Sequence, residues 1–235
     1  MTDLSRRTLV PELMDQPGLD PREHARALRA LARINTLSRS AHIFWPQIAR
    51  LAAADPGRTW RLLDVASGGG DVPIQLWLKA KSHGIRLHVR GADVSPVAVD
   101  HARARAARLG AEVDFQQLDA LVGPLPDDVD LMSSSLFLHH LNEDQAVHLL
   151  RAMAAAARRL VLINDLRRSA GGLALAQVVS RLVSRSAVVH FDAPQSVRAA
   201  FTLDEARQLA ARAELHGATV RRRWPFRFLL TWARQ

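Results

Sequence analysis

The stretch Leu62-Leu63-Asp64-Val65-Ala66-Ser67-Gly68-Gly69-Gly70-Asp71 constrains the fold of this chain more than any other. It reads as a short buried strand that runs into three glycines and then into a helical pattern. Glycine accepts backbone angles that a Cβ forbids, and it lets the main chain approach a ligand closely. The helix opening at Asp71 begins with N–H groups that have no partner within the helix.

The alternation continues along the chain. Arg61–Val65 is the first strand and Asp71–Ser82 the helix after it. Leu87–Asp93 is a second strand, and Pro96–Leu109 a helix capped by Ser95. Strands at Val113–Leu118 and Asp130–Ser135, a helix at Asn142–Arg158 and a strand at Leu160–Asn164 follow. This rhythm predicts an α/β fold, a doubly wound parallel sheet covered on both faces. Helices are expected from about Gly172 to Ser184 and from Leu203 to Ala213. Two strand-like runs close the chain, Ala218–Arg223 and Phe226–Trp232, and the short Trp224-Pro225 link makes them an antiparallel pair.

Residues 1–55 carry helix signals and no strand pattern. Asp20-Pro21 reads as a cap and first turn, His24, Leu28, Leu31 and Ile34 recur at helical spacing, and a second helix is expected near 41–54. A segment this short cannot own a core. It is expected to be an N-terminal helical lid on the domain formed by 56–235, with Phe44-Trp45 as its apolar anchor and Asn35–Ser40 at the pocket mouth.

Hydrophobic residues make up 48% of the chain, enough for a full core, which excludes wholesale disorder. The absence of cysteine excludes a disulfide scaffold, thiolate metal sites and a cysteine nucleophile, and the absence of tyrosine excludes a tyrosine acid or base. The net charge of +9 points to an acidic partner such as nucleic acid. The arginines are scattered without a basic stripe, however, and only Lys79 and Lys81 are lysines, the pattern of a GC-rich coding bias. Nucleic acid is therefore not the expected partner. No apolar run is long enough to span a bilayer and the first residues have no signal-peptide core, so a cytoplasmic location is expected.

The glycine loop fits dinucleotides, S-adenosylmethionine or an ordinary turn. A dinucleotide G-x-G-x-x-G pattern beginning at Gly68 and Gly70 needs Gly or Ala at position 73, where Pro73 stands. A phosphate loop needs Gly-Lys-Ser/Thr, which is missing. The second strand ends on Asp93, where a carboxylate can bind both hydroxyls of a ribose. The third ends on Leu118-Asp119-Ala120, where a carboxylate can accept from an adenine amino group. Either acid could instead serve as a cap or turn residue. Three such positions at successive strand ends all lie where open α/β sheets bind ligands.

On these residues the chain resembles the class I S-adenosylmethionine-dependent methyltransferases across roughly 60–235. Their D-x-G-x-G-x-G motif is matched by Asp64, Ala66, Gly68 and Gly70, with Ala66 in place of the first glycine. Ser-Ser-Leu-Phe-Leu-His-His-Leu (134–141), Asn164-Asp165-Leu166 and the closing Trp-Pro-Phe-Arg-Phe hairpin are similar to bacterial small-molecule enzymes of the ubiquinone/menaquinone type. The resemblance implies a Rossmann-like seven-stranded sheet of order 3-2-1-4-5-7-6 with the last strand antiparallel. It implies S-adenosyl-L-methionine as cofactor, held by Asp64, Ala66, Gly68, Gly70, Asp93, Val94, Asp119, Ala120 and Ser135. Asp64 and the loop would flank the methionine end, Asp93 the ribose, Asp119 the adenine amine and Ser135 the reacting sulfur.

Methyl transfer from a sulfonium needs a positioned electron-rich atom and, for a phenol, help with its proton. His139 and His140 follow the fourth strand, and Asp165 the fifth, at the same sheet edge. His140 is the expected base, with Asp165 orienting it and His190 in reserve; a buried and solvated structural pair is the plain alternative. The insertion at about 166–202, apolar and Arg-studded, reads as substrate-pocket wall or as a packed helix pair. No metal site is expected, because adjacent histidines do not easily share a ligand face. The expected activity is methylation of a small, largely apolar, aromatic or phenolic substrate, at oxygen rather than carbon. An RNA or protein methyltransferase and a non-catalytic S-adenosylmethionine-binding scaffold are the alternatives. The Asn/Asp-Pro-Pro-aromatic motif of nucleic-acid amino-methyltransferases is replaced here by Ser-Ser-Leu-Phe.

Overall fold

The computed structural model describes residues 4–13, 20, 22, 26, 40–184 and 186–234. From Ser40 onward helices and strands run in the order α1 (Ser40–Ala54), β1 (Trp60–Val65), α2 (Asp71–Ser82), β2 (Leu87–Asp93), α3 (Pro96–Leu109), β3 (Val113–Gln117), β4 (Leu131–Ser135) and a 3-10 turn (Leu138–His140). Then come α4 (Glu143–Ala156), β5 (Leu160–Leu166), α5 (Ala170–Val183), α6 (Ala187–Ala199), α7 (Leu203–Arg212), β6 (Thr219–Arg223) and β7 (Arg227–Ala233). The expected helix around His24 to Ile34, and residues 35–39, lie outside the described residues.

The strands form one seven-stranded sheet in the order β3-β2-β1-β4-β5-β7-β6. β1 pairs in parallel with β2 and β4, and β7 runs antiparallel to both β5 and β6. Order and direction are those the resemblance implied. Central strands are buried on both faces, so they read as continuous apolar runs, and successive side chains go to opposite layers. Leu62 packs with α1, α2 and α3, whereas Leu63 and Val65 pack with α4 and α7. The same split puts Leu229 on the first face and Phe228 and Leu230 on the second.

Helix ends follow local chemistry. Ser95 accepts from Ala98 N ahead of Pro96, and Gly110 closes α3 in the left-handed region at φ 60°. Asn142 with Gln145 and Thr202 with Glu205 form capping boxes on α4 and α7. α1 differs from expectation. Phe44 is fully buried and Ile43, Ile48 and Ala52 pack beside it with Leu62 and Trp77, so this helix belongs to the core layer rather than to a separate cover. The 166–202 insertion is a pair of helices, α5 and α6, packed on each other, with α6 also against the 138–140 turn.

Residues 4–13 lie as a strap on the far side of that turn's neighbours. Thr8 N donates to Arg198 O at 3.2 Å, Leu13 N to Asp192 Oδ1 at 2.8 Å, and Arg168 Nε to Leu4 O at 3.0 Å. Arg7 spans the gap, donating to His139 O at 2.7 Å and to Ala199 O while its guanidinium lies 3.7 Å above the Phe201 ring.

Candidate active site

The register of β1 on β2 sets Asp64 level with Gly91 and Val65 with Ala92. Beyond the pairing, Ser67 N donates to Ala92 O at 2.9 Å, which turns the chain into the glycine loop. Gly70 has φ 73°, and a Cβ there would stand 2.6 Å from the Phe115 ring, so this position requires glycine. Gly68 differs: at φ 52° its Cβ would meet nothing within 4 Å, so the loop faces open space there. Ala66 takes φ 54° without the freedom of glycine.

Asp93 is held from two sides. Gly68 N donates to its Oδ2 at 2.8 Å and Ser95 N to its Oδ1 at 2.9 Å. Val94 beside it is 60% exposed, an apolar surface at the sheet edge. Leu118 N continues the β2–β3 ladder onto Asp93 O, which delivers exposed Asp119 to the same edge. Asp119 Oδ1 accepts from Leu121 N at 2.9 Å, and Ala120 is buried next to it.

Asp64 is buried beneath the loop and accepts from Ser133 Oγ at 2.5 Å. Burial pushes its carboxyl up to about 7, against the Ser133 bond and with added repulsion from Asp71 and Asp93. A carboxyl in that position is stabilised by a cation. Ser67 Oγ and Ser134 Oγ are buried without a hydrogen-bond partner among the described residues. Ser135 accepts from Asn164 Nδ2 at 2.9 Å at the end of β4.

The second half of the edge is an ionic cluster. Asp165 is fully buried, and His139 Nδ1 donates to its Oδ1 at 2.6 Å while His139 N donates to Oδ2 at 3.1 Å. This corrects the expected pairing with His140. β5 runs to Leu166, so Asp165 is a strand residue, and the tight 138–140 turn lays the first histidine over it. His140 is half-buried, its ring 6.1 Å from that of Phe137. Glu12 completes the group: its Oε1 lies 3.6 Å from His139 Nε2 and 3.8 Å from His140 Nε2, and it accepts from Ser196 Oγ. The two imidazole centroids are only 4.3 Å apart, so adjacent histidines do here turn the same nitrogen toward one partner.

Burial alone would lower the His139 pKa, but the Asp165 and Glu12 carboxylates override it and hold the ring protonated, at about 10. Burial opposes ionisation of Glu12 and Asp165 too, and the neighbouring imidazoles win in both, leaving the two carboxyls below their ordinary range. Arg227 lies behind, 2% exposed, donating to Ser40 Oγ at 2.5 Å; its attraction to Asp165 and Asp71 links the ionic cluster to the start of α2.

His190 is not brought into this group. It sits in α6 with Nε2 on the Ser184 carbonyl at 2.8 Å, while Asp192 and Ser196 of the same helix meet the strap. Glu12, Arg7 and Arg227 are residues sequence reasoning missed. Arg227 left one signal, a charge opening an otherwise apolar strand; Glu12 left none, being 127 positions from His139.

Residues 62–159 match a family model described as a methyltransferase domain. The demethylmenaquinone methyltransferase of Thermus thermophilus is 35% identical over 105 residues, which is 44% of this chain and 46% of that protein. The chain thus spans under half the length of that relative. Magnesium protoporphyrin IX methyltransferase from Synechocystis, solved with bound S-adenosylhomocysteine, superposes with a TM-score of 0.57 at 18% identity, over 86% of this chain and 87% of that one. An O-methyltransferase family 2 protein from Planctomyces limnophilus, complexed with apigenin, gives 0.58 at 19% identity over 94% and 63%. Sheet order, glycine loop and edge carboxylates agree with these matches: residues 62–159 carry a methyltransferase domain, the fold is that of the S-adenosylmethionine-dependent methyltransferases, and the chain has a likeness to a quinone methyltransferase.

Proposed function

We propose that this protein transfers a methyl group from S-adenosylmethionine to the hydroxyl oxygen of a small, largely apolar, aromatic or phenolic acceptor. The observation that carries the reading is one sheet edge with two unlike halves: a glycine–carboxylate cradle beside a buried imidazole–carboxylate cluster. The cradle fits the cofactor. Gly68 faces open space, Asp93 is held at the end of β2 to take a ribose diol, and Asp119 at the end of β3 takes the adenine amine. Asp64, buried and short of a cation, suits the methionine end, and unpartnered Ser134 with Ser135 lines the approach to the sulfur. The cofactor, when bound, supplies a methyl group on a positively charged sulfur.

The chain's own residues then govern the acceptor. His139 is held protonated between carboxylates and is a fixed cation rather than a base. His140, at the less buried side of the cluster, assists loss of the acceptor proton. Phe137, Leu138 and the α5–α6 pair supply apolar wall, and an apolar site favours a step in which phenolate and sulfonium charges cancel. The 4–13 strap covers this half. The likeness to a demethylmenaquinone methyltransferase and to an O-methyltransferase complexed with apigenin supports an aromatic acceptor. The partner is a small molecule, not nucleic acid.

The test combines calorimetry with S-adenosylhomocysteine and a methyl-transfer assay on a panel of alkylated phenols and hydroquinones. Micromolar cofactor binding, no NAD binding and methyl ether products are expected. His140→Ala should lower turnover by ~10²–10⁴-fold with cofactor affinity nearly unchanged, and the defect should shrink at high pH, where the phenol ionises unaided. Wild-type turnover in that variant at neutral pH would remove His140 from the mechanism.

A further inference from the structure

We propose that Glu12, His139 and His140 form a binding site for a divalent transition-metal ion, Zn²⁺ or a first-row neighbour, at the acceptor half of the sheet edge. Three ligand atoms, Glu12 Oε1 and the two Nε2 atoms, lie within 4.8 Å of one another. The two contacts to the carboxylate, 3.6 and 3.8 Å, are too long for hydrogen bonds. They are close to the roughly 3.4 Å that separates two ligands each ~2.1 Å from a tetrahedral ion. The widest separation in the set, within 4.8 Å, closes to that spacing by a shift of about an ångström, which a rotation of the half-buried His140 ring supplies.

The surroundings are those of a built site. His139 donates Nδ1–H to Asp165 at 2.6 Å, which turns Nε2 toward Glu12; a bound ion takes the place of the Nε2 proton that the metal-free ring carries, and a carboxylate behind a ligating imidazole fixes ring and tautomer. His139 N donates to the same carboxylate and Arg7 donates to His139 O at 2.7 Å, so the turn itself is pinned. Ser196 Oγ steadies the Glu12 carboxylate. Two imidazoles and one carboxylate, with no thiolate in the chain, select borderline divalent ions and leave coordination positions open.

What the ion does at its open positions rests on the methyl-transfer reading. His140 then assists as a ligand. The acceptor hydroxyl binds the ion and loses its proton to water; its oxygen lone pair forms the bond to the methyl carbon as the carbon–sulfur bond breaks. The electron pair goes to sulfur, giving the thioether and the methyl ether.

The full chain, stripped with chelator and dialysed, is titrated with Zn²⁺ by calorimetry and with Co²⁺ by visible absorption. One equivalent should bind, with the intense bands of four-coordinate Co²⁺. Glu12→Gln, which keeps shape, should weaken Zn²⁺ binding at least tenfold, His140→Ala at least a hundredfold and Asp165→Asn by ~10–100-fold. The surface variant His148→Ala should leave binding unchanged, and circular dichroism confirms that each variant is folded. No stoichiometric binding, or binding indifferent to Glu12→Gln and His140→Ala, overturns the site. Parallel calorimetry with S-adenosylhomocysteine separates the two readings. Zn²⁺ binding without cofactor binding keeps the site and removes methyl transfer, and the reverse removes the site alone.

Discussion

The two halves of the sheet edge are built by different means. Around Gly68 and Asp93 the contacts are backbone N–H to carboxylate, made by segments 25 positions apart or fewer. Around Asp165 they are side-chain ion pairs, and one partner, Glu12, arrives from the other end of the chain. The first half spends its polar groups on holding a shape open for a ligand. The second uses them on each other, so the same charges that could act on an acceptor also hold the strap, the 138–140 turn and β5 together. Changing an acid should therefore read out as affinity in the first half and as stability in the second.

The sharpest way to break this contrast is Asp165→Ala. Removing one member of a buried charge pair leaves its partner uncompensated, at a cost of about 3–5 kcal/mol. Denaturant unfolding should show that loss, and an unchanged midpoint would mean the cluster holds nothing together. Asp93→Ala should do the converse. Its expected cost is about 1.5–3 kcal/mol of S-adenosylhomocysteine affinity, charge-assisted bonds being the strong ones, with a smaller change in the unfolding midpoint.

A pH series sharpens the first half. Asp64 has its carboxyl raised from 3.8 to about 7 by burial. Because its folded value lies above the unfolded one, the stability it contributes is present below about pH 4 and is lost as pH rises through about 7. Cofactor binding runs the other way, since a cation at the methionine end needs the ionised form. Affinity for S-adenosylhomocysteine should fall by up to about tenfold per pH unit below 7, and Asp64→Asn should flatten the profile. The smallest effect is expected at Ala66, whose φ of 54° costs a non-glycine residue. Ala66→Gly should raise stability by about 0.5–1 kcal/mol, the relief of left-handed strain less the entropy of glycine. A loss on thermal unfolding would show that the methyl group packs usefully there.

The geometry of the glycine–carboxylate half was legible in the sequence for the same reason that it is local. A glycine run, a strand-end acid and a serine cap each state their chemistry within a few residues, and the strand–helix rhythm then fixes their common edge. Helix bounds such as Asp71–Ser82 and Pro96–Leu109 agree with the sequence reading because caps and the glycine at 110 are local signals too. The acceptor half was half-legible. Its histidines and Asp165 were picked out, but their pairing depends on two further residues of β5 pairing with β7, and on a one-turn 3-10 segment. Phe44 misled for a related reason: a large aromatic in a short terminal segment reads as an anchor for a cover, and only the packing against Leu62 shows it to be core.

The strap also sets a timetable for synthesis. Glu12 is made about 180 residues before Asp192, Ser196 and Arg198, which receive its segment. At ~5–20 residues per second, the interval is on the order of ten to forty seconds. Throughout that time the early strands around the glycine loop can pair while the strap has nothing to lie against. Its closure spans most of the chain, the slowest kind of contact to form. The half that holds the strap is thus completed only once the chain has been made past Arg198, long after the glycine–carboxylate cradle has its strands.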